Sequence, residues 1–395
     1  DIPPIKLVVT EHQVECKTCP NCQHQGQANF PPQVKARVQY GSRIKILTAL
    51  LRQQHGMGLA RLETFFQQWL GSSPAEATLL GFCKQVGEVL QGVNEQLAAE
   101  TLEAPVLHVD ETSCRAVVET EKGSKRNKAE ETAEAGSAQK ARNVWVHVRS
   151  TASAVYYMVS PQRGGTVISE ALGQYTGVLV HDCWGSYLKL TNSTHALCNA
   201  HLLRELQAVI DEDQEAGRVR AGPALRGHWA VQLQELLCRA HYLVENYKLA
   251  GASELPFEVR SELRVQYHKC IERGLAAHPA PVRKPGQRGR LAQSKARNLL
   301  LRFEQYADAV LRFMVDFRVP FDNNRAERDL RMLKVVQKVV GCWRTVEGLA
   351  DQLAFRSVLQ SCQCRGLNLM EVLHEALTKW YAGGSESYRL PEAAH

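Results

Sequence analysis

Three acidic residues lie where a carboxylate could meet a metal ion. Asp110 and Asp182 each follow a short apolar segment typical of a buried β-strand. Acids at the carboxyl ends of core strands lie where an α/β sheet exposes side chains to a ligand. Glu327 comes much later in the chain, about one turn inside a helix predicted from Pro320–Arg331. The sequence therefore places three candidate ligands on three separate elements.

Three carboxylates that converge would repel one another unless cations neutralised them. Mg²⁺ binds carboxylate oxygens and keeps positions open for phosphate oxygens. Two such ions, roughly 4 Å apart, can activate a water molecule or a 3′-hydroxyl and stabilise the leaving oxygen. The simpler alternatives are that each Asp caps a turn after its strand, and that Glu327 pairs with Arg331 on the helix surface.

The helix that carries Glu327 is predicted to begin at a polar cap. Asp322–Asn324 can accept the free N–H groups of a first turn. Apolar residues at helical spacing predict one buried face, and basic residues occupy the rest. The apolar positions are Ala326, Leu330, Leu333, Val336 and Val340; the basic positions are Arg325, Arg328, Arg331 and Lys334.

The segments around the two Asp residues predict a β-sheet. After Val106–Val109, a second strand is expected over Ser113–Val118, and the Lys-, Glu- and Ala-rich residues 120–142 read as a solvated or disordered loop. The remaining predicted elements alternate between strand and helix. They are strands Val144–Val148, Val155–Val159, Gly177–His181 and Thr194–Cys198, and helices near Val167–Leu172 and over Asn199–Ile210.

The N-terminal residues 1–35 contain a candidate zinc site. Cys19 and Cys22 have the C-x-x-C spacing that lets two thiolates reach one tetrahedral Zn²⁺, with Cys16 and His24 as the nearby ligands that could complete it. We predict a partial zinc-binding region here. Free thiols at a disordered end are the alternative.

Residues 36–103 are predicted to be helical and to bind DNA. Gly71 should end one helix, and Ser73–Glu76 resembles a capping box that starts the next. Two helices joined in this way resemble a helix-turn-helix, although an ordinary helical hairpin gives the same pattern.

The second half of the chain is mostly helical by pattern. We expect a sheet domain that begins at 104–211, a helical insertion at 212–318 and a return to the sheet domain at 319–382, followed by a tail at 383–395. Within these parts the sequence predicts long amphipathic helices and one break. The helices are Ala292–Val319, Leu349–Gln360 and Leu369–Trp380, and the break is Gly341–Arg344.

Composition agrees with a folded protein that contacts nucleic acid. The 395 residues are 44% hydrophobic and 23% charged, with a formal net charge of +7. No apolar run is long enough to span a bilayer, and the twelve Cys are expected to be reduced thiols in a cytosolic protein.

Several of these segments together resemble one family. The order of motifs is similar to that of DDE transposases with a ribonuclease H-like core, specifically the insertion sequence 66 family, from about Val14 to Leu377. The motif that carries most of the resemblance is Asp322-Asn-Asn-Arg-Ala-Glu-Arg328. The others are Cys19–Cys22, Tyr40–Arg43, His108–Thr112, His181–Tyr187 and Cys198–Arg204.

The resemblance implies a fold and an activity. The fold would be an α/β ribonuclease H-like core with a large all-α insertion. The enzyme would cleave transposon ends and join the 3′-hydroxyl to target DNA, with Asp110, Asp182 and Glu327 holding two Mg²⁺ or Mn²⁺ ions. The implied partners are double-stranded DNA at terminal inverted repeats and target sites, a second copy of the chain or a higher assembly, and accessory proteins. We expect a bacterial, nucleoid-associated enzyme.

The resemblance also implies roles around the three acids. Cys198 and His201 match a Cys-x-x-His motif of several DDE lineages, which is expected to order the site or contact DNA. A core histidine and a second zinc site are the alternatives. Trp343 and Arg344 match an aromatic–basic pair that could stack on a flipped base, or else form a core Trp with a surface Arg. Arg325, Arg328 and Arg331 are expected to contact DNA phosphates.

Two other functions fit the same residues. One is a DNA-binding protein whose core no longer does chemistry, and the other is a metal-dependent host nuclease of the same fold. The basic segments Lys122–Lys128 and Arg283–Arg290 fit phosphate contacts in all three cases. They therefore do not distinguish among them.

Overall fold

The computed structural model describes residues 1, 6–31, 34, 36–118, 140–220, 222–283, 288–289, 291–382 and 388–392. Most of the charged insert 120–142, including Lys122–Lys128, lies outside these residues, as do parts of Arg283–Arg290 and of the tail 383–395. The predictions for those segments stay predictions. Among the described residues, no helix combines the length and the apolar character that crossing a membrane requires.

The described residues form seven strands. These are β1 (Cys16–Thr18), β2 (Gln25–Gln27), β3 (Val106–Val118), β4 (Lys140–Ser150), β5 (Val155–Ser160), β6 (Val178–His181) and β7 (Thr194–Leu197). Strands β1 and β2 make a small hairpin. The others make a five-stranded mixed sheet in the order β5-β4-β3-β6-β7. The four strands predicted from Val144 onward are confirmed, with their ends shifted by a few residues.

The described residues also form thirteen α-helices. These are α1 (Ser42–Gln53), α2 (Leu59–Leu70), α3 (Glu76–Glu103), α4 (Gly165–Leu172), α5 (Asn199–Glu215), α6 (Pro223–Arg226), α7 (Trp229–Leu249), α8 (Phe257–Ala277), α9 (Lys295–Gln305), α10 (Ala307–Val310), α11 (Asn324–Val340), α12 (Val346–Arg365) and α13 (Leu369–Tyr381). The protein is therefore mixed α/β with many helices.

The central strand β3 is longer than predicted. The sequence predicts one strand that ends before Asp110 and another that begins at Ser113, but β3 runs without a break through both. Antiparallel pairing with β4 continues from His108 to Val118, so it carries β3 through the polar residues between the two apolar segments. Parallel pairing with β6 spans only Val106 to His108. From Asp110 onward no described strand pairs with that side of β3, which is bridged at Ala116 by Trp343.

Alternate residues of β3 face opposite layers, as the pleat of a strand requires. Leu107 and Val109 pack in a cluster with α4. Cys114 and Ala116 pack in a different cluster with α11. Asp110 has the same parity as Cys114, so its side chain lies on the α11 face of the sheet.

Helices of residues 36–103 pack against helices from the end of the chain. Helices α1, α3, α12 and α13 share one buried cluster, which includes Ile46, Leu90 and Phe355. Gly71 does end α2 in a left-handed conformation (φ +70°), as predicted. The capping box is wrong, because α3 begins after Ala75 and the Ser73 hydroxyl donates to the Pro74 carbonyl instead.

The helix-turn-helix is not confirmed. Its second helix would be α3, which is 28 residues long and buries Val86, Leu90 and Val93 against other helices of the domain. A recognition helix must present side chains to the major groove, and α3 uses these positions for packing.

Residues 212–318 are largely helical. Their buried cluster, which includes Leu233, Tyr267 and Phe303, also contains Leu197 of β7 and Leu206 of α5. The single long helix predicted over Ala292–Val319 is wrong. Tyr306 leaves the helical region (φ −112°, ψ 27°), so α9 ends there and is followed by the short α10 and a 3₁₀ turn at Arg312–Met314. The domain boundaries themselves remain predictions.

Candidate active site

The strand register brings Asp110 and Asp182 side by side. Val106, Leu107 and His108 of β3 pair with Val178, Leu179 and Val180 of β6. Continued by two residues, this register places Asp110 next to Asp182, immediately after β6 ends. Both acids are partly buried. Two acids that three strands and a helix separate in the sequence are thus placed side by side at the end of the β3–β6 pairing.

The turn after β6 fixes the orientation of the Asp182 carboxylate. The Trp184 N–H donates to Asp182 Oδ1 over 3.0 Å. Between them, Cys183 has φ +68°, a left-handed conformation that a non-glycine residue adopts at a cost of about 1 kcal/mol or more. The His181 ring accepts the Cys183 N–H over 3.2 Å. The turn therefore holds the Asp182 carboxylate through Oδ1, so that Oδ2 is the oxygen that can face a ligand.

Glu327 reaches the same region from the first turn of α11. A carboxylate in this position is stabilised by the helix dipole. The ion pair with Arg331 considered from the sequence is not found among the described residues. Glu327 instead contacts α5: its Oε1 lies 3.3 Å from His201 Nδ1, and its Oε2 lies 3.9 Å from Arg204 Nη2.

Asn323 joins α11 to the strand that carries Asp110. Its Oδ1 lies 2.9 Å from His108 Nδ1, and its Nδ2 donates to the Val109 carbonyl over 2.8 Å. Its backbone N–H donates to Cys198 Sγ over 3.2 Å. The Asn323 side chain thus makes no cap hydrogen bond and serves β3 instead. The predicted polar cap is confirmed at Asp322, whose Oδ1 accepts the N–H of Asn324, the first residue of α11, over 2.9 Å.

The electrostatics of the site favour a cation. Burial raises the pKa of Asp110 to about 7, and the negative charges of Glu111, Asp182 and Glu327 add to the increase. Asp182 and Glu327 are thus close enough to Asp110 for their charges to act on it. Hard carboxylate oxygens are the donors that Mg²⁺ prefers. The donor types fit the divalent cations that the sequence implies, but among the described residues the oxygens of Asp110, Asp182 and Glu327 do not all lie within 4.8 Å of one another.

Glu111 lies on the opposite face of β3 and is held by a separate network. Its carboxylate is nearly inaccessible (1% exposed) and pairs with Arg163 at 2.5 Å. The Tyr187 hydroxyl donates to it over 2.6 Å. The Arg163 guanidinium lies 4.3 Å from the ring centre of Trp184, which follows Asp182. This network connects Glu111 on β3 to the turn that holds Asp182.

Sequence reasoning did not assign Asn323, Arg163 or Arg204 to the site. Asn323 and Arg204 lie inside motifs that the family resemblance already marked, so their spacing to Glu327 and His201 could have indicated a role. Arg163 lies in a loop, and no local pattern connects it to Glu111.

The basic residues of α11 do not share one surface. Arg325 donates to the Thr151 carbonyl over 2.6 Å. Arg325 and Arg328 line a cavity of about 1090 Å³ whose lining does not include the three carboxylates. Arg331 is exposed and lies one turn beyond Glu327. Arg331 therefore lies on the same side of α11 as Glu327 and outside the lining of that cavity.

Trp343 does not fit the stacking role that the resemblance implied. Its side chain lies in the buried cluster of α11 and the sheet and is only 7% exposed. Its indole N–H donates to Gln352 Oε1 over 2.6 Å. A buried ring has no free face for a base, so the core alternative holds for Trp343. Arg344 is exposed.

The N-terminal zinc site is not confirmed. Cys16 lies in β1, and Cys19 and Cys22 lie in the turn before β2. The backbone N–H groups of Cys22 and Asn21 approach the Cys19 sulfur and lower its pKa, as at a metal knuckle. No three of Cys16, Cys19, Cys22 and His24 bring their ligand atoms within 4.8 Å of one another in the described residues. Zinc binding here remains a prediction.

The strand order of the sheet and the positions of the three acids indicate a class of protein. A mixed five-stranded sheet with two adjacent Asp residues and a helical Glu is consistent with the ribonuclease H-like core of DDE transposases. A family model described as the transposase IS66 family matches residues 37–351. The chain therefore belongs to the IS66 family of transposases, and the resemblance inferred from its motifs is confirmed.

Comparisons with individual proteins add little to this assignment. No curated protein matches the chain. Among solved structures, one match is the Mos1 transposase paired-end complex with left transposon end, at 14% identity and a TM-score of 0.14. The match covers 40% of this chain and 59% of that one, so this chain spans less than two thirds of that relative.

Proposed function

We propose that this protein is a DNA transposase that cuts transposon ends and joins the freed 3′-hydroxyl to target DNA. The observation that carries the proposal is the strand register, which puts Asp110 beside Asp182 at the end of the sheet that the Glu327 helix approaches. Burial, with the charges of Glu111, Asp182 and Glu327 added to it, raises the pKa of Asp110. Membership in the IS66 family supports the same activity.

Asp110, Asp182 and Glu327 would hold the divalent cations, which we propose to be two Mg²⁺ or Mn²⁺ ions. When bound, such ions lower the pKa of an attacking water or hydroxyl and stabilise the leaving oxygen. The protein supplies the position of each carboxylate. Strand pairing fixes Asp110, the strained turn fixes Asp182, and Asn323 fixes the start of the helix that carries Glu327.

Two phosphoryl transfers follow at one site. In the first, water attacks a phosphorus atom at the transposon end, the bond to O3′ breaks, and O3′ takes up a proton to become a free hydroxyl. In the second, that hydroxyl attacks a target phosphodiester and gives up its proton. A new P–O bond forms while the target bond to O3′ breaks, and the released target O3′ takes up a proton. Neither transfer needs a covalent bond to the protein.

Basic side chains around Glu327 would position the DNA backbone. Arg204 is mostly exposed (64%) and lies beside the Glu327 carboxylate, and Arg331 is exposed on the same helix. Terminal inverted repeats and target DNA are the proposed partners. Because the two ends of a transposon must be held side by side while they are cut and inserted, we also propose that the enzyme acts as a homodimer or higher assembly, with accessory proteins as further partners.

Strand cleavage on duplexes with and without the terminal repeat tests the proposal. We expect Asp110→Asn, Asp182→Asn and Glu327→Gln each to abolish cleavage while a mobility shift with the end duplex survives. Glu347→Gln is the matched control, because Glu347 is also an acid in the first turn of a helix but is exposed. Retained cleavage in any of the three variants would contradict the assignment.

The same assay separates the other two functions. A protein that only binds DNA gives a shift and no metal-dependent product. A host nuclease cuts both duplexes equally.

A further inference from the structure

A second set of candidate ligands surrounds Glu327 on the side of α5. The Cys198 sulfur, a His201 ring nitrogen and a Glu327 carboxylate oxygen all lie within 4.8 Å of one another. Cys198 Sγ is 3.8 Å from Glu327 Oε1, and His201 Nδ1 is 3.3 Å from the same oxygen. Unlike the carboxylates that face Asp110, this set combines sulfur, nitrogen and oxygen.

These distances match the edges of a tetrahedral metal site. With Zn–S near 2.3 Å and Zn–N and Zn–O near 2.1 Å, tetrahedral angles separate nitrogen from oxygen by about 3.4 Å and sulfur from oxygen by about 3.6 Å. The observed 3.3 Å and 3.8 Å differ from these values by about 0.2 Å or less. Two of the three edges thus fit one tetrahedral ion, and the third, between Cys198 Sγ and the His201 ring nitrogen, is no longer than 4.8 Å.

The His201 ring is not explained by hydrogen bonding. Its Nδ1 is inaccessible to solvent and has no hydrogen-bond partner among the described residues. Glu327 Oε1 lies within ionic contact distance, yet the pair does not meet hydrogen-bond geometry. A buried polar atom without a partner costs about 1–3 kcal/mol. A bound ion would satisfy His201 Nδ1 and would replace the hydrogen bond that Glu327 Oε1 accepts from the Cys198 thiol.

The backbone holds the three residues in place before any ion binds. Cys198 is the N-cap residue of α5, and His201 is in its first turn, so the C-x-x-H spacing places both on one side. The Asn199 N–H donates to the Phe321 carbonyl, and the Asn323 N–H donates to Cys198 Sγ. These bonds tie the start of α5 to the start of α11, which carries Glu327.

We propose that Cys198, His201 and Glu327 bind a zinc ion, with a fourth position open to solvent. Thiolate and imidazole ligands favour Zn²⁺ over Mg²⁺. Cys198 is buried, whereas the His201 and Glu327 side chains are 35% and 22% exposed, so an ion can enter from their side. Zinc bound here takes Glu327 from the Asp110 site and inhibits strand cleavage. This inhibition rests on the proposed function, but the binding does not.

Cobalt(II) binding to the full chain tests the site directly. A background with Cys19→Ser and Cys22→Ser removes the N-terminal thiol pair. In that background we expect one equivalent of Co²⁺ to produce a thiolate-to-cobalt charge-transfer band and strong tetrahedral d–d bands, and Zn²⁺ to displace it. Cys198→Ser should abolish the charge-transfer band. No such band in the background protein would overturn the proposal.

Two further variants keep the test independent of folding at the buried Cys198. His201→Ala and Glu327→Gln alter partly exposed side chains and should weaken cobalt binding at least tenfold. Cys342→Ser is the matched control, because this cysteine lies in the turn after α11 and should leave the band unchanged. A band that persists in Cys198→Ser, or affinities that are unchanged in both ligand variants, would refute the site.

Strand cleavage separates this proposal from the proposed function. If the protein shows the cobalt band but never cuts DNA, the zinc site stands and the proposed transposase activity is refuted. Protein that cuts DNA in Mg²⁺ and shows no band retains the assignment and loses the zinc site.

Discussion

Replacing Asn323 should uncouple the strand that carries Asp110 from the helix that carries Glu327. The Asn323 side chain is 1% exposed and bonds to His108 Nδ1 and to the Val109 carbonyl. Asn323→Ala removes both bonds and leaves two buried polar atoms without partners. Each such atom costs about 1–3 kcal/mol, so we expect the free energy of unfolding to fall by about 2–5 kcal/mol.

The neighbouring Asn324 provides a matched control. It is exposed, and its side chain donates only to Asp322 among the contacts that the structure shows. Asn324→Ala should therefore cost less than about 1 kcal/mol. Neither residue makes a side-chain cap bond at the N-cap of α11, so the difference between the two variants isolates the buried contacts of Asn323.

Urea unfolding of the metal-free protein measures both variants. We expect a lower midpoint for Asn323→Ala at an unchanged slope. A double-mutant cycle with His108→Ala should give a coupling energy of about 1 kcal/mol or more, since the two side chains contact each other. Equal midpoints for Asn323→Ala and Asn324→Ala, or no coupling energy with His108, would refute the claim that the Asn323 hydrogen bonds connect β3 to α11.

Three further predictions follow from the surroundings of the site. Burial lowers the pKa of His147 from 6.5 to about 4, so its contribution to stability is complete above pH 6.5 and is lost as the pH falls toward 4. By pH 5 this residue should have lowered the free energy of unfolding by about 2 kcal/mol. When urea unfolding is compared at pH 7 and pH 5, a His147→Gln variant should lack that part of the decrease. Arg163→Met leaves Glu111 buried without its cation and should lower the free energy of unfolding by about 2 kcal/mol, whereas adding Glu111→Gln should restore part of it; equal urea midpoints in the single and double variants would contradict this. Arg331→Ala should weaken DNA binding and reduce the slope of log K against log salt by about 1, whereas Glu327→Gln should leave both unchanged in a binding titration over a salt series.

The elements of the sheet were largely predictable because apolar runs and polar boundaries report local structure. Val155–Val159 and Thr194–Cys198 were found nearly to the residue. The error at β3 has a physical cause. Asp110–Ser113 interrupts the apolar pattern, but hydrogen bonding to β4 keeps the strand extended. Strand pairing is a long-range effect that a local pattern does not contain.

The site was predictable only in part. The three acids could be named because each lies in a distinctive local context, and family motifs supported them. Their support could not be named in the same way. Arg163 reaches Glu111 from a distant loop, and Asn323 reaches His108 across more than two hundred residues. Such contacts depend on packing between layers.

Trp343 shows that a sequence motif alone does not tell whether a side chain is buried or exposed. An aromatic–basic pair fits either base stacking or a core Trp beside a surface Arg, and the sequence does not distinguish them. The structure does so because Trp343 adds a bridge to the edge of β3 at Ala116, which draws its side chain into the core.

Anomalous diffraction from a complex with Mn²⁺ and an end-containing duplex tests the central claim most directly. We predict manganese peaks within bonding distance of carboxylate oxygens of Asp110, Asp182 and Glu327, beside the scissile phosphate. Loss of those peaks in Glu327→Gln, with the DNA still bound, would complete the test. Manganese bound elsewhere, or a Glu327 carboxylate that stays on His201 while DNA and manganese occupy the two Asp residues, would contradict the account.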